Sequence, residues 1–142
     1  MGMGLLAGID STKSALDAER VRMDIVAQNI ANAQTTRDID GKPYQRRVVT
    51  FESELIKNTG IVGQPTTAIK IAEIARDETP GAQVYNPEHP HANANGMVEM
   101  PNVQMSKEMV DLITASRAYE ANLKVVTTAR RMATKALQIG RA

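Results

Sequence analysis

The chain has 142 residues and a formal net charge of +1 with both signs dispersed, so it offers no basic face of the kind that grips nucleic acid. Aromatic residues make up 3% of it, one Phe and three Tyr with no Trp, and the groups that usually build a heavy core are therefore scarce. It contains no cysteine, which excludes thiol catalysis, disulfides and thiolate zinc sites.

The opening "MGMGLLAGIDSTKSALDAER" lacks a basic leader region and its apolar run is short, so no secretory signal is expected there. No segment approaches the roughly 20 apolar residues of a membrane span, and the protein is expected not to be membrane-spanning. Proline and glycine then divide the chain. Neither occurs between Gly8 and Gly41, nor between Pro101 and Gly140, and all six prolines lie between or at the edges of those stretches. The division predicts an N-terminal helical segment over 1–36, a β-rich and loop middle region over 37–101, and a C-terminal helical segment over 102–142.

In the first segment Leu5, Ile9, Leu16, Met23, Val26, Ile30 and Ala33, with Thr12 and Glu19 filling the gaps, alternate in steps of four and three. This is a heptad seam with two polar interruptions, and it predicts a helix from Leu5 to Asn32. Its end, "AQNIANAQTT", sets the amides Gln28, Asn29, Asn32 and Gln34 among alanines such as Ala31. Small side chains with amides between them imply close packing against something.

The middle reads as short strands. "YQRRVVTFE" (Tyr44–Glu52) is β-branched, and "TTAIKIAEIAR" (Thr66–Arg76) alternates until it slips phase at Ala72, as a bulge requires. "DETPGA" followed by "QVY" predicts a hairpin over Thr66–Tyr85. The last segment repeats the first with a longer seam: Met105, Met109, Leu112, Ser116, Tyr119, Leu123, Val126, Arg130, Ala133 and Leu137. It predicts a helix that starts near Asn102 or Ser106, either able to cap it, and ends at Gly140. The expected fold is mainly α: two long terminal helices packed as an antiparallel coiled-coil hairpin around a small β-hairpin and loop region. Matching the seams sets Leu16 near Val126, Met23 near Tyr119, Ile30 near Leu112 and Leu5 near Leu137.

Catalytic groups are sparse. His89 and His91 flank Pro90 in an extended loop, which does not present two imidazoles as a helical i, i+4 pair does. "TRDIDG" has Asp38, Asp40 and Gly41 spaced like a calcium loop, but Arg47 stands where the bidentate Glu belongs. No glycine-rich phosphate loop is present, and Ser116 lies mid-helix. No metal, cofactor, small-molecule substrate or enzymatic activity is expected. A cytosolic helical-hairpin adaptor and a metal enzyme using the two histidines stay as rival readings.

Two motifs favour association. "DIVAQNIANAQTT" (Asp24–Thr36) resembles the N-terminal motif of bacterial flagellar rod and hook proteins, and "SKEMVDLITASRAYEANLKVVTTA" (Ser106–Ala129) resembles their C-terminal motif. The linking loop "VYNPEHPHANANGMVEMPNVQMSKEMV" is similar to that of the short proximal-rod members, type C. The resemblance implies a structural subunit of the periplasmic rod of the flagellar basal body. Such a subunit passes unfolded through the flagellar type III export apparatus without signal cleavage, and its partners are copies of itself and other rod proteins. It also implies that the terminal helices form the assembly interface. Leu5, Ile9, Leu16, Met23, Val26 and Ile30 would contribute from the first helix, with Asn29, Ala31, Asn32 and Ala33 crowding against neighbours. From the last helix come Met109, Leu112, Ser116, Tyr119, Leu123, Val126 and Leu137.

Overall fold

The computed structural model describes residues 2–56 and 66–140, with side chains described over 11–54 and 68–140. Helix α1 runs over Gly2–Ala31 and helix α2 over Met105–Ile139. Between them lie strands β1 (Arg47–Ile56), β2 (Thr66–Arg76), β3 (Gln83–Tyr85) and β4 (Met97–Glu99). The first two pair antiparallel in one ribbon and the last two in another.

The C-terminal end of α1 packs on the N-terminal end of α2. Asn29 meets Glu108 and, further back along α1, Arg22 meets Asp111 further forward along α2, so the two helices run antiparallel over this stretch. The register differs from the one that matched seams predict. Asn29 meets Glu108, whereas pairing Ile30 with Leu112 sets it opposite Ile113, about 7.5 Å further along α2.

Asn32 closes α1 by donating its side-chain amide to the Gln28 carbonyl at 2.9 Å and accepting from Thr35 at 3.2 Å. A turn at Gly41, whose φ of 73° is left-handed, reverses the chain. Tyr44 then donates its backbone N–H to the Thr35 carbonyl, which returns Tyr44–Arg47 to the side of α1. Neither Asn102 nor Ser106 caps α2; the cap residue is Gln104, with no side-chain bond. Asn102 works as a clasp instead. Its oxygen accepts the Arg46 N–H at 2.7 Å, and its NH₂ donates to the carbonyls of Asp77 and Thr79.

The predicted hairpin over Thr66–Tyr85 does not form, because β2 pairs with β1 along its whole length and β3 pairs with β4. Two strands of ten and eleven residues make a longer ladder together than either makes with three-residue β3. The expected slip at Ala72 is present: Thr50 pairs with Glu73 and Phe51 with Ile71, leaving Ala72 as the extra residue.

Candidate functional site

At the junction of α1, β1 and α2 the chain buries polar groups. Asn29 and Glu108 are both 0% exposed and are the largest side chains so enclosed, beside an apolar core of Ala18, Ile25, Val26, Tyr44, Val98 and Ala115. Burying an amide and a carboxyl is costly unless every valence is met. Asn29 meets all four of its own. Its Oδ1 accepts from the Arg47 N–H at 2.9 Å and the Tyr44 hydroxyl at 3.0 Å. Its Nδ2 donates to the Arg47 carbonyl at 2.9 Å and to Glu108 Oε2 at 3.0 Å.

The second oxygen of Glu108, Oε1, accepts from Arg46 Nε at 2.6 Å. Arg46 also reaches Asp111 at 3.6 Å, and Asp111 faces Arg22 at 3.8 Å. Glu108 occupies the first turn of α2, where the helix dipole favours negative charge. Tyr44, 5% exposed, has its phenol pKa raised, first by burial. Arg47 beside it counters the rise, and Asp38 and Glu108 add to it. The arrangement holds a strand and two helices in one relation and presents no open chemistry. It is a structural junction.

The residues expected at an assembly interface divide accordingly. The side chains of Leu5 and Ile9 lie outside the described residues. Leu16, Met23 and Ile30 are half-buried and Val26 is buried, since the β1–β2 ribbon covers α1 on a second side. The Asn29 amide is fully engaged within its own chain. Ala31 is exposed, and Asn32 and Ala33 are half-buried.

On α2 the inner face is turned from the expected one. Leu112, Tyr119 and Val126 are half-buried, but the row that completes the seam is Glu108, Ala115, Asn122 and Ala129. The predicted row Met109, Ser116, Leu123, Arg130, Leu137 lies one residue away, with all but half-buried Ser116 exposed. Large apolar side chains set the predicted phase, whereas the helices approach through alanines and a polar junction. Sequence reasoning missed Glu108, Arg46, Tyr44, Arg47, Asp111 and Arg22. The available signal was an acidic pair at i, i+3, Glu108 and Asp111, and the basic pair Arg46–Arg47 at the head of a strand.

His91 Nδ1 lies 2.8 Å from the Thr36 hydroxyl, and His89 Nδ1 accepts the His91 N–H at 3.1 Å. The two imidazoles thus tie a loop to the segment after α1.

Helical termini joined through a polar junction to a small β middle define a chain whose two ends form one unit, and both ends match known families. The family described as flagella basal body rod protein matches residues 9–37, and that described as flagellar basal body rod FlgEFG protein C-terminal matches residues 94–139. The chain belongs to the flagellar basal-body rod proteins, structural subunits of the rod. Among its relatives, the flagellar basal-body rod protein FlgC of Salmonella typhimurium is 39% identical, with 97% of this chain and 99% of the relative covered. FlgC of Bacillus subtilis is 39% identical over 94% and 96%, and FlgC of Borreliella burgdorferi 37% over 96% and 98%.

Proposed function

We propose that this chain is a proximal-rod subunit that polymerises through its terminal helices into the hollow drive shaft and is required for flagellum assembly and motility. It crosses the inner membrane unfolded through the flagellar type III export apparatus, without signal cleavage, and folds on reaching the growing rod in the periplasm. In the assembled state residues 1–36 and 102–142 pair as a coiled-coil rod core and 37–101 form the outer region. One observation supports this most directly. The far half of α2 leaves Leu123, Val125, Met132, Leu137 and Ile139 between 45% and 79% exposed. Thirty-five residues at 1.5 Å each extend about 52 Å, and a helix end so long and uncovered needs neighbours. Because the contact joins different surfaces of successive subunits, repetition yields a helix of subunits.

The test is the intact mass of the protein in purified basal bodies, together with motility of a strain lacking it. Recovery of the uncleaved chain in the rod and loss of swimming are expected. A chain found only in the cytosol, with swimming intact, would instead identify the helical-hairpin adaptor.

A further inference from the structure

Two charged seam positions, Glu19 on α1 and Arg130 on α2, end in complementary situations. Glu19 Oε2 is out of water and accepts no hydrogen bond among the described residues. Its ion-pair partner, Arg22 Nη1, stands 3.9 Å away, beyond hydrogen-bond reach. A buried carboxylate oxygen left so is costly, and a donor is missing.

Glu19 lines a groove of about 310 Å³ between α1 and the β1–β2 ribbon, whose apolar walls are Ala15, Ala18, Phe51 and Ile69. Ile69 is 40% exposed, and the rim carries a second acid, Glu52. The groove asks for a cation flanked by apolar groups.

Such a ligand is present on the chain itself. In the exposed row of α2, Arg130 lies seven residues after Leu123 and seven before Leu137. These three fall on one stripe, with the two leucines about 10 Å to either side of the arginine. Over residues 121–140 the helix carries Lys124, Arg130, Arg131 and Lys135 with no acidic residue. None of these side chains makes an ion pair among the described residues.

We infer that the groove between α1 and the β1–β2 ribbon receives the Leu123–Arg130–Leu137 stripe of a second copy of this chain, with the Arg130 guanidinium donating to Glu19 Oε2. The inference rests on the rod-subunit reading and specifies one of its contacts. It is heterologous, groove to helix, as an open helical array requires. Guanidinium suits the site because its planar fork satisfies a carboxylate while its stem lies along apolar walls.

The absence of cysteine makes the contact testable in whole rods. Two forms of the full chain are co-expressed, one with Ser53→Cys at the groove rim and one with Thr134→Cys, one turn from Arg130. Mild oxidation of purified basal bodies is expected to join the two forms, and peptide mapping to place the link. A second arm uses charge: Glu19→Lys is expected to abolish swimming, and adding Arg130→Glu in the same chain to restore it. If Glu19→Lys fails to fold, the thiol arm still decides, because it leaves both charges intact. Basal bodies that contain both forms unlinked would overturn this contact and leave the rod reading standing, as would a groove thiol linked only to another rod protein. Basal bodies lacking the chain altogether would overturn both.

Discussion

The side-chain amide of Asn29 serves as a neighbouring strand for Arg47, accepting its backbone N–H and donating to its carbonyl, each at 2.9 Å. An amide side chain has the same donor and acceptor as a peptide unit, so one helical residue satisfies both edge groups at the start of β1. The remaining valences of that amide reach Tyr44 and Glu108. Position of the strand, the return loop and the second helix thus depends on one residue near the end of the first.

Replacing Asn29 should therefore cost more than one hydrogen bond. Asn29→Ala leaves the Arg47 N–H and carbonyl, the Tyr44 hydroxyl and Glu108 Oε2 each short of a partner, a loss of about 3 kcal/mol. Asn29→Asp removes the donors and sets a second carboxylate against Glu108, so it should be worse still. Urea denaturation of the purified chain checks the order wild type, Asn29→Ala, Asn29→Asp. An unchanged midpoint for Asn29→Asp would mean that the junction contributes nothing.

Tyr44 gives the junction a pH signature. Its phenol is held above the ordinary value of 10.0, chiefly by burial, so the native state keeps a proton that the unfolded chain releases. That contribution is complete below the ordinary value and is lost as pH rises through the native pKa. Tyr44→Phe should cost about 1 kcal/mol at neutral pH, one hydrogen bond. The difference from wild type should shrink in alkali. Denaturation midpoints of the pair, compared at neutral and strongly alkaline pH, test this. A gap that widens with pH contradicts the burial of the phenol.

How much of this was legible beforehand depends on the kind of signal. The helices, β2 and the bulge at Ala72 follow from periodicity and from breakers, which act locally. The inner face of α2 did not, because Leu123 and Met109 outweigh Ala115 and Asn122 on any hydrophobic count, while close helix approach selects the smaller pair. Nor did Glu108, since a buried carboxylate is stable only with Arg46 and Asn29 beside it, and sequence places these 62 and 79 residues away. In the stretch "AQNIANAQTT" one amide, Asn29, is fully buried, while Ala27, Gln28, Ala31 and Gln34 stay exposed. The groups that hold Asn29 come from its own chain.

The two faces of α2 should separate folding from assembly. Ala115 is 0% exposed, and Ala115→Leu overpacks the helix contact at a cost of about 1–3 kcal/mol, visible in the isolated chain. Leu123 is 45% exposed, so Leu123→Asp should leave the isolated chain's denaturation midpoint near wild type and abolish motility once neighbours desolvate the charge. Replacing both His89 and His91 by Ala should leave motility near normal. A swimming Leu123→Asp strain would remove the exposed row from the assembly surface.

Register gives the last test, because the two ways of pairing the helices differ by about 7.5 Å along the axis. Matched apolar seams set Leu16 beside Val126. Counting outward from the Asn29–Glu108 contact in antiparallel steps sets Ala15 beside Asn122 instead. A disulfide needs Cα atoms within about 7 Å, so thiols discriminate between these registers without background in a chain lacking cysteine. Ala15→Cys with Asn122→Cys should oxidise to an intrachain bond, both in the assembled rod and, less completely, in the dilute chain. Leu16→Cys with Val126→Cys should oxidise poorly in either. Efficient intrachain closure of the second pair alone would restore the seam-matched register and overturn the one counted from the polar junction. Interchain bonds alone, for both pairs, would mean that the terminal helices pair between subunits.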